Sequence, residues 1–388
     1  MKRLLLALFV LPCALTAFAG TYFGDKFFID GDLRAVYMTN SNVPDKFAPA
    51  GTMASYVQAP TRLFLGAGYD INKNITLFAR GAFLTLWGSP GGQPFFTDSQ
   101  VDRVQLTEAY IDFKKLTDFL SVRVGRQFYA AEEVFFEPNW YNFERLVYTA
   151  LDGVVFTIDI PSTTINIIGG REAPLSDFYD KDAFTYGFQT KTDISELFGF
   201  YTYFYNRDQK YGDNIGRYGV KPYINYGGFE ASFQYLRLFD DSFRRFSAQG
   251  QFFKFDISRE YKKEGSYTLT PRGSVTWTTG GQESEMDFTR NLIVEDIFGS
   301  QVLIDHADYN LSLDAAFDAV PDTLFTFESF YYQGRRGAPD IGTELNLLVK
   351  YTTPFNLELG VGAGYLFANR AFQSKDASKL QTWLVYRF

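Results

Sequence analysis

Apolar residues return at every second position along most of this chain. Phe27, Ile29, Leu33, Ala35 and Tyr37 share one face of an extended segment, and Asp30, Asp32 and Arg34 share the other. Leu63, Leu65, Ala67, Tyr69 and Ile71 oppose Arg62 and Asp70; Ile75, Leu77, Ala79 and Phe83 oppose Thr76 and Arg80. Thr107, Ala109, Ile111 and Phe113 oppose Glu108 and Asp112, while Leu120, Val122 and Val124 oppose Arg123 and Gln127. The pattern persists to the end. Tyr218, Val220 and Ile224 oppose Arg217 and Lys221, and Leu345, Leu347, Val349 and Tyr351 oppose Glu344 and Lys350. Period two is the spacing of a strand whose two faces meet different surroundings.

Turn residues cut these runs at short intervals: Asn72-Lys73-Asn74, Pro161-Ser162, Gly227-Gly228, Pro321-Asp322 and Pro354. Longer polar stretches alternate with them, among them 40–59, 88–101, 129–151, 172–182, 207–215, 258–265 and 279–306. Short turns alternating with long loops are what an antiparallel up-and-down barrel in an outer membrane requires. The runs count to roughly 16 to 18 strands, an even number that closes the sheet. Segments 196–206 and 245–257 alternate poorly. The expected fold class is therefore all-β, a transmembrane antiparallel barrel occupying residues 20–388 as a single domain.

The two ends agree. In the last strand Leu380, Thr382, Leu384, Tyr386 and Phe388 lie on one face; Lys379, Gln381, Trp383 and Arg387 lie on the other, with Val385 among them. A final apolar-out strand ending in Phe388 resembles the closing strand of bacterial outer-membrane barrels. That resemblance implies that Phe388 is part of the signal read by the barrel assembly machinery. At the front, Lys2 and Arg3 precede the apolar run 4–17, and Ala17-Phe18-Ala19 sets small residues for cleavage before Gly20. Residues 1–19 thus read as a signal peptide, too short for a spanning helix of about 20 residues. Their removal takes Cys13, the one cysteine, and moves the formal net charge from −8 to −10.

Composition sharpens the solvent assignment. The chain has 42 Phe and 26 Tyr against 4 Trp, an aromatic excess over ordinary usage. Its mean hydropathy is nevertheless −0.15. Many apolar residues without a long apolar run means interleaving, which a barrel between lipid and a polar lumen demands and a helical membrane protein cannot tolerate. The acidic balance argues against nucleic acid as a partner. A barrel of this size leaves an aqueous lumen. The inward set carries both signs: Arg34, Arg62, Arg80, Arg123, Arg217, Lys221 and Lys350 against Glu108, Asp112 and Glu344. Burying so many charges dry costs more than pairing returns, so they must line water.

The stretch 104–158 narrows the family. It reads Leu106-Thr107-Glu108-Ala109-Tyr110-Ile111-Asp112-Phe113, then Leu120-Ser121-Val122-Arg123-Val124-Gly125-Arg126-Gln127, then Trp140, then Leu151-Asp152-Gly153-Val154-Val155-Phe156. This resembles the alginate-export-like outer-membrane porins. The resemblance implies an 18-stranded monomeric barrel passing anionic or polar oligosaccharides, with Glu108, Arg123, Arg126 and Gln127 at lumen or constriction positions. Phe128 to Glu133 departs from the family's glycine-containing turn, and an acidic chain suits an anionic polymer poorly. Period two itself turns Arg126 outward. A place at the rim, or a bulge at Gly125 swinging it inward, avoids the cost of about 2–4 kcal/mol for an arginine at mid-bilayer. The loop 129–151 is rich in aromatics and suits either a lid folded into the lumen or a cap on the rim.

Catalytic chemistry is not indicated. His306 is the one histidine, flanked by Asp305 and Asp308 without a serine motif. No cofactor fingerprint or metal-ligand cluster is visible. The pattern points to a channel in the bacterial outer membrane for passive diffusion of small polar or charged solutes, sugars and oligosaccharides foremost. Its other partners are outer-membrane lipid and the assembly machinery, and its state is monomer or trimer. A size-selecting general porin and a barrel whose loops serve adhesion or structure are the competing readings.

Overall fold

The structure, a computed structural model, describes residues 22–44, 53–87, 103–129, 149–174, 183–208, 215–240, 250–279, 306–335, 339–371 and 375–387. Residues 1–19, Trp140 with most of its loop, the His306 side chain and Phe388 lie outside the described residues. Every regular element among the described residues is a strand. A two-residue β1 (Tyr22–Phe23) pairs with the start of β2 (Phe27–Pro44). Then come β3 (Met53–Asn72), β4 (Ile75–Trp87), β5 (Arg103–Thr117), β6 (Leu120–Gln127), β7 (Thr149–Ile160), β8 (Thr163–Pro174) and β9 (Phe184–Asp193). They are followed by β10 (Phe198–Asp208), β11 (Ile215–Tyr226), β12 (Phe229–Asp240), β13 (Gly250–Arg259) and β14 (Tyr261–Lys263), a short continuation of β13. The chain ends with β15 (Tyr267–Thr279), β16 (His306–Phe317), β17 (Thr323–Gly334), β18 (Gly342–Thr352), β19 (Leu357–Ala368) and β20 (Ala377–Arg387).

Successive strands pair antiparallel, and β2 pairs with β20 from Asp32–Arg387 to Ser41–Ser378. That last ladder closes a ring of 18 full-length strands and leaves no open edge. Closure lets every strand satisfy its backbone groups laterally, the condition for crossing a bilayer with strands. Turns gather at one end. Gly227 and Gly228, both at positive φ (54° and 79°), make a two-residue hairpin loop that a side chain at either position would strain.

Directly paired residues share a face. Leu33, Leu63 and Phe83 form one outward row, and Arg34 with Arg62 an inward one. The outward set is apolar and open: Leu65, Leu311 and Leu347 are 50%, 70% and 52% exposed. A ring of such residues is far beyond the apolar patch a water-soluble surface carries, so lipid is its solvent. The inward set is polar and packed, with Arg62, Gln127, Glu344 and Asn346 buried. Glycines on the inner face make room for large neighbours. A Cβ on Gly360 would lie 2.0 Å from the ring of Trp383, its cross-strand partner. That indole lies flat on the wall and donates its N–H to Glu358 at 2.8 Å.

The structure corrects the bounds of two expected loops and gives a cause for the two poorly patterned segments. Residues 258–265 are not a long loop; they carry β14 and a tight turn at the short-turn end. The interruption at 40–59 is smaller, because β2 runs to Pro44 and β3 starts at Met53, with a register shift after Asn40. The poor alternation in 196–206 and 245–257 also has a cause. β10 carries rings on both faces, with Tyr201, Tyr203 and Tyr205 inside and Phe198, Phe200 and Phe204 outside. In β13, Phe252 points inward.

Candidate functional site: the charged inner wall

Five adjacent strands, β2 to β6, bring the charged residues of the first third of the chain onto one arc of the inner wall. Asp30, Asp32 and Arg34 alternate on β2, Arg62 and Arg80 follow on β3 and β4, Glu108 and Asp112 on β5, and Arg123 on β6. Each lies inward because its outward neighbour is apolar and a one-residue slip would put every charge into lipid. A bulge at Thr107 between Glu108 and Leu106 keeps both in place: Arg80 still pairs with Glu108, and Gly81 with Leu106.

The guanidinium groups are held from two sides. Arg62 Nη2 lies 3.2 Å from Asp32 Oδ1. Arg80 bridges two strands, bonding Asp30 and reaching Glu108 Oε2 at 2.7 Å. Arg123 lies 3.1 Å from Asp112. Aromatic faces carry the other side of each group. Arg62 sits 4.3 Å above Phe64, Arg80 lies 5.1 Å from Phe78, and Arg123 is 4.4 Å from Tyr110. Each such contact contributes about 0.5–2 kcal/mol and fixes a flat guanidinium against the wall. Exposure is uneven: the Arg62 side chain is 1% exposed, Arg80 24% and Arg123 37%. Arg80 and Arg123 therefore meet the lumen water that Arg62 does not.

The remaining expected lumen residues face inward but stand elsewhere on the ring. Gln127 is buried at the end of β6, its side-chain amide 3.4 Å from the Gly125 and Gly153 carbonyls. Arg217 is buried on β11, Lys221 sits 5.8 Å from the ring of Tyr201, Glu344 is buried on β18, and Lys350 lies 4.0 Å from Glu358. Arg126 is the correction. It does not enter the lumen. The β5–β6–β7 register runs through Gly125 without a shift and places Arg126 on the outward row with Ala109 and Asp152. There it forks onto Asp152, Nε and Nη2 each 2.7 Å from a carboxylate oxygen. Asp152 is eight residues from the end of β7 at Ile160, beyond the outward run Phe156 and Val154. On a tilted strand that spacing rises about 20 Å, near the upper edge of an apolar band about 25 Å tall. Replacing Asp152 by alanine is therefore expected to destabilise the barrel by about 1 kcal/mol or less, rather than the ~2–4 of a mid-bilayer arginine. Urea unfolding of the lipid-reconstituted variant reads the difference.

Two inner features escaped the alternation rule. Glu172 accepts from Arg207 at 2.8 Å and from Thr185 at 2.6 Å, tying β8, β9 and β10 together. Both ends of that pair fall in segments that read as loops, although each continues its strand's parity. Leu151, Val155, Ile168, Tyr203, Tyr205, Leu236 and Phe252 form an apolar cluster on the inner wall. Nothing in a polar-in rule predicts it. Tyr129, just past β6, packs into this cluster with its hydroxyl 3.4 Å from that of Tyr205. Its neighbour Phe128 reaches the ring of Phe64 at 6.3 Å. At Phe128 and Tyr129 the side chains point into the barrel; residues 130–148, where the lid and cap readings differ, lie outside the described residues.

No family model matches the sequence, and no curated relative matches it. Solved structures do match in fold. The outer-membrane protein OpdK from Pseudomonas aeruginosa superposes with a TM-score of 0.66 at 11% identity, over 95% of this chain and 100% of that one. OccK5 (OpdH) of the same organism gives 0.65 at 12%, over 95% and 99%. Acinetobacter baumannii OccAB1 gives 0.62 at 13%, over 95% and 98%. The fold is that of outer-membrane porins.

Proposed function

We propose that the protein is a bacterial outer-membrane channel that passes small polar or charged solutes passively, sugars and oligosaccharides foremost. One observation carries this reading: a closed 18-strand ring has a lipid-compatible outside and an inside lined by ion pairs of both signs. Half-exposed pairs such as Arg123–Asp112 are stable only against water, and hydrated walls of alternating charge favour polar solutes over apolar ones. The porin fold supports the same reading. The likeness to alginate-export-like porins rests on the 104–158 motifs and supports oligosaccharides as solutes. In this reading residues 1–19 are the export signal, Phe388 is read by the assembly machinery, and no covalent chemistry is involved.

Single-channel recording from the refolded protein in a planar bilayer tests it. Discrete, stable conductance steps are expected, with a reversal potential in a salt gradient that responds to charge changes on the inner wall. A correctly folded barrel that carries no current would overturn the reading in favour of adhesive or structural loops.

A further inference from the structure

The wall opposite the arginine arc has a different character. β13 stands nine strands from β4 in either direction around the ring. Centred on it, in the short-turn half of the lumen, is a recess of about 610 Å³. Its floor is two adjacent cross-strand rows. Ser232, Asp256, Ser274 and Asn310 pair along one. Glu230, Ser258, Arg272, Ser312 and Glu328 pair along the next. Four successive full-length strands each place one serine in this floor. Those short side chains leave room between the longer ones of the floor.

The chemistry of the lining is specific. Three basic residues (Lys221, Lys254, Arg272) face three acidic ones (Glu230, Asp256, Glu328), so the recess is formally neutral. Two of its cations are held by carboxylates: Lys254 lies 3.1 Å from Asp256, and Arg272 lies 2.7 Å from Asp314. A charged ligand would have to break these pairs. A hydroxyl-rich neutral one would use the serine hydroxyls, the Asn225 and Asn310 amides and the spare carboxylate lone pairs. One end of the recess is a shelf formed by Tyr201 and Tyr223, ring centroids 5.4 Å apart. The other end is Phe330. Rings bounding a polar floor fit a molecule with hydroxyl edges and C–H faces.

We propose that this recess is a binding subsite for a neutral saccharide of two to three sugar units, held during its passage through the channel. The volume falls within the roughly 300–1,000 Å³ of sites that enclose a ligand of that size. This inference rests on the channel reading above and names its solute class and the place where that solute pauses.

The test is current interruption by sucrose and by raffinose added to single wild-type channels, with glycine betaine as a zwitterionic comparison. Saturable interruptions by the two saccharides, and none by betaine, are expected. Tyr201→Ala is expected to raise the half-saturating concentration up to about tenfold, the worth of one aromatic contact. Ser274→Phe, which fills the floor without changing charge, is expected to abolish the interruptions. Each variant's own sugar-free conductance serves as its reference. A linear, unsaturable fall in current with sucrose would overturn the proposal. So would interruption by betaine alone, or wild-type saturation in both variants. If the folded wild type conducts nothing, the channel reading fails by itself. Calorimetric titration of sucrose into the detergent-solubilised barrel then decides the subsite: heat that Ser274→Phe removes upholds it, and no heat overturns it.

Discussion

Replacing Arg80 by alanine turns the channel toward cations. Arg80 bonds Asp30 from β2 and Glu108 from β5, and its side chain remains 24% exposed to the lumen. The substitution deletes one positive charge and leaves two carboxylates on one cross-strand row, with Gly66 of β3 and the new alanine of β4 between them. In lumen water a unit charge a few ångströms from a passing ion is worth about 1 kcal/mol, or roughly a fivefold change in the local partitioning of each ion, upward for cations and downward for anions. The reversal potential in a potassium chloride gradient should therefore move toward the potassium equilibrium potential. Arg80→Lys keeps the charge while losing the two-sided fork, and should leave selectivity near wild type. An Arg80→Ala channel with an unchanged reversal potential would mean that ions do not pass this arc. Screening supplies a second check, since the shift should shrink as salt rises and the Debye length falls to about 3 Å near 1 M.

Period two was enough to read which face of most strands meets lipid. Leu65 and Leu347 stand outside and Arg62 and Glu344 inside, because a strand between two solvents cannot slip its register by one residue. Ring closure and a strand number of roughly 16 to 18 followed from the same runs and their turns, and the structure has 18. The inner wall was legible only in part. Parity gives the face of a residue but not its neighbour: that Arg80 would bridge Asp30 and Glu108 depends on the stagger between β2, β4 and β5, including the bulge at Thr107. Arg126 shows the limit from the other side. Its parity was right, while the motif it sits in suggested the lumen; a place at the edge of the apolar band makes an outward arginine tolerable, and Asp152, 26 residues later, pairs with it there. The inner apolar cluster around Tyr205 and Leu236 broke the rule because a wide lumen need not be wet along its whole wall. Where aromatics occupy both faces of a strand, as on β10, alternation vanishes from the sequence although the strand is regular.

The same unevenness of wetting governs stability, and Asp32 is the sharpest case. Its carboxylate lies among the guanidinium groups of Arg62, Arg80 and Arg34. Arg34 and Arg62 are cross-strand partners, so two like charges stand directly opposite one another, which by itself is destabilising. Arg62 is 1% exposed and Asp32 9%, which leaves little water to screen either. Asp32→Asn conserves shape and removes the anion from the centre of the group. It is expected to destabilise the barrel by about 3 kcal/mol, the lower end of what breaking a buried ion pair from one side costs. Urea unfolding of the lipid-reconstituted protein measures this as a lower midpoint. Adding Arg62→Met to the Asp32→Asn variant should recover much of the loss, because an apolar side chain of similar reach packs on Phe64 without needing a counter-charge. A double-mutant cycle isolates the pair from the general effect of each change. If Asp32→Asn costs less than about 0.5 kcal/mol, water reaches Arg62 after all, and the whole arc behaves as Arg80 does. The two substitutions thus separate the wall's two expected roles: Arg80, wet, is expected to set what passes, and Asp32 with Arg62, dry, to keep the wall that positions it from coming apart.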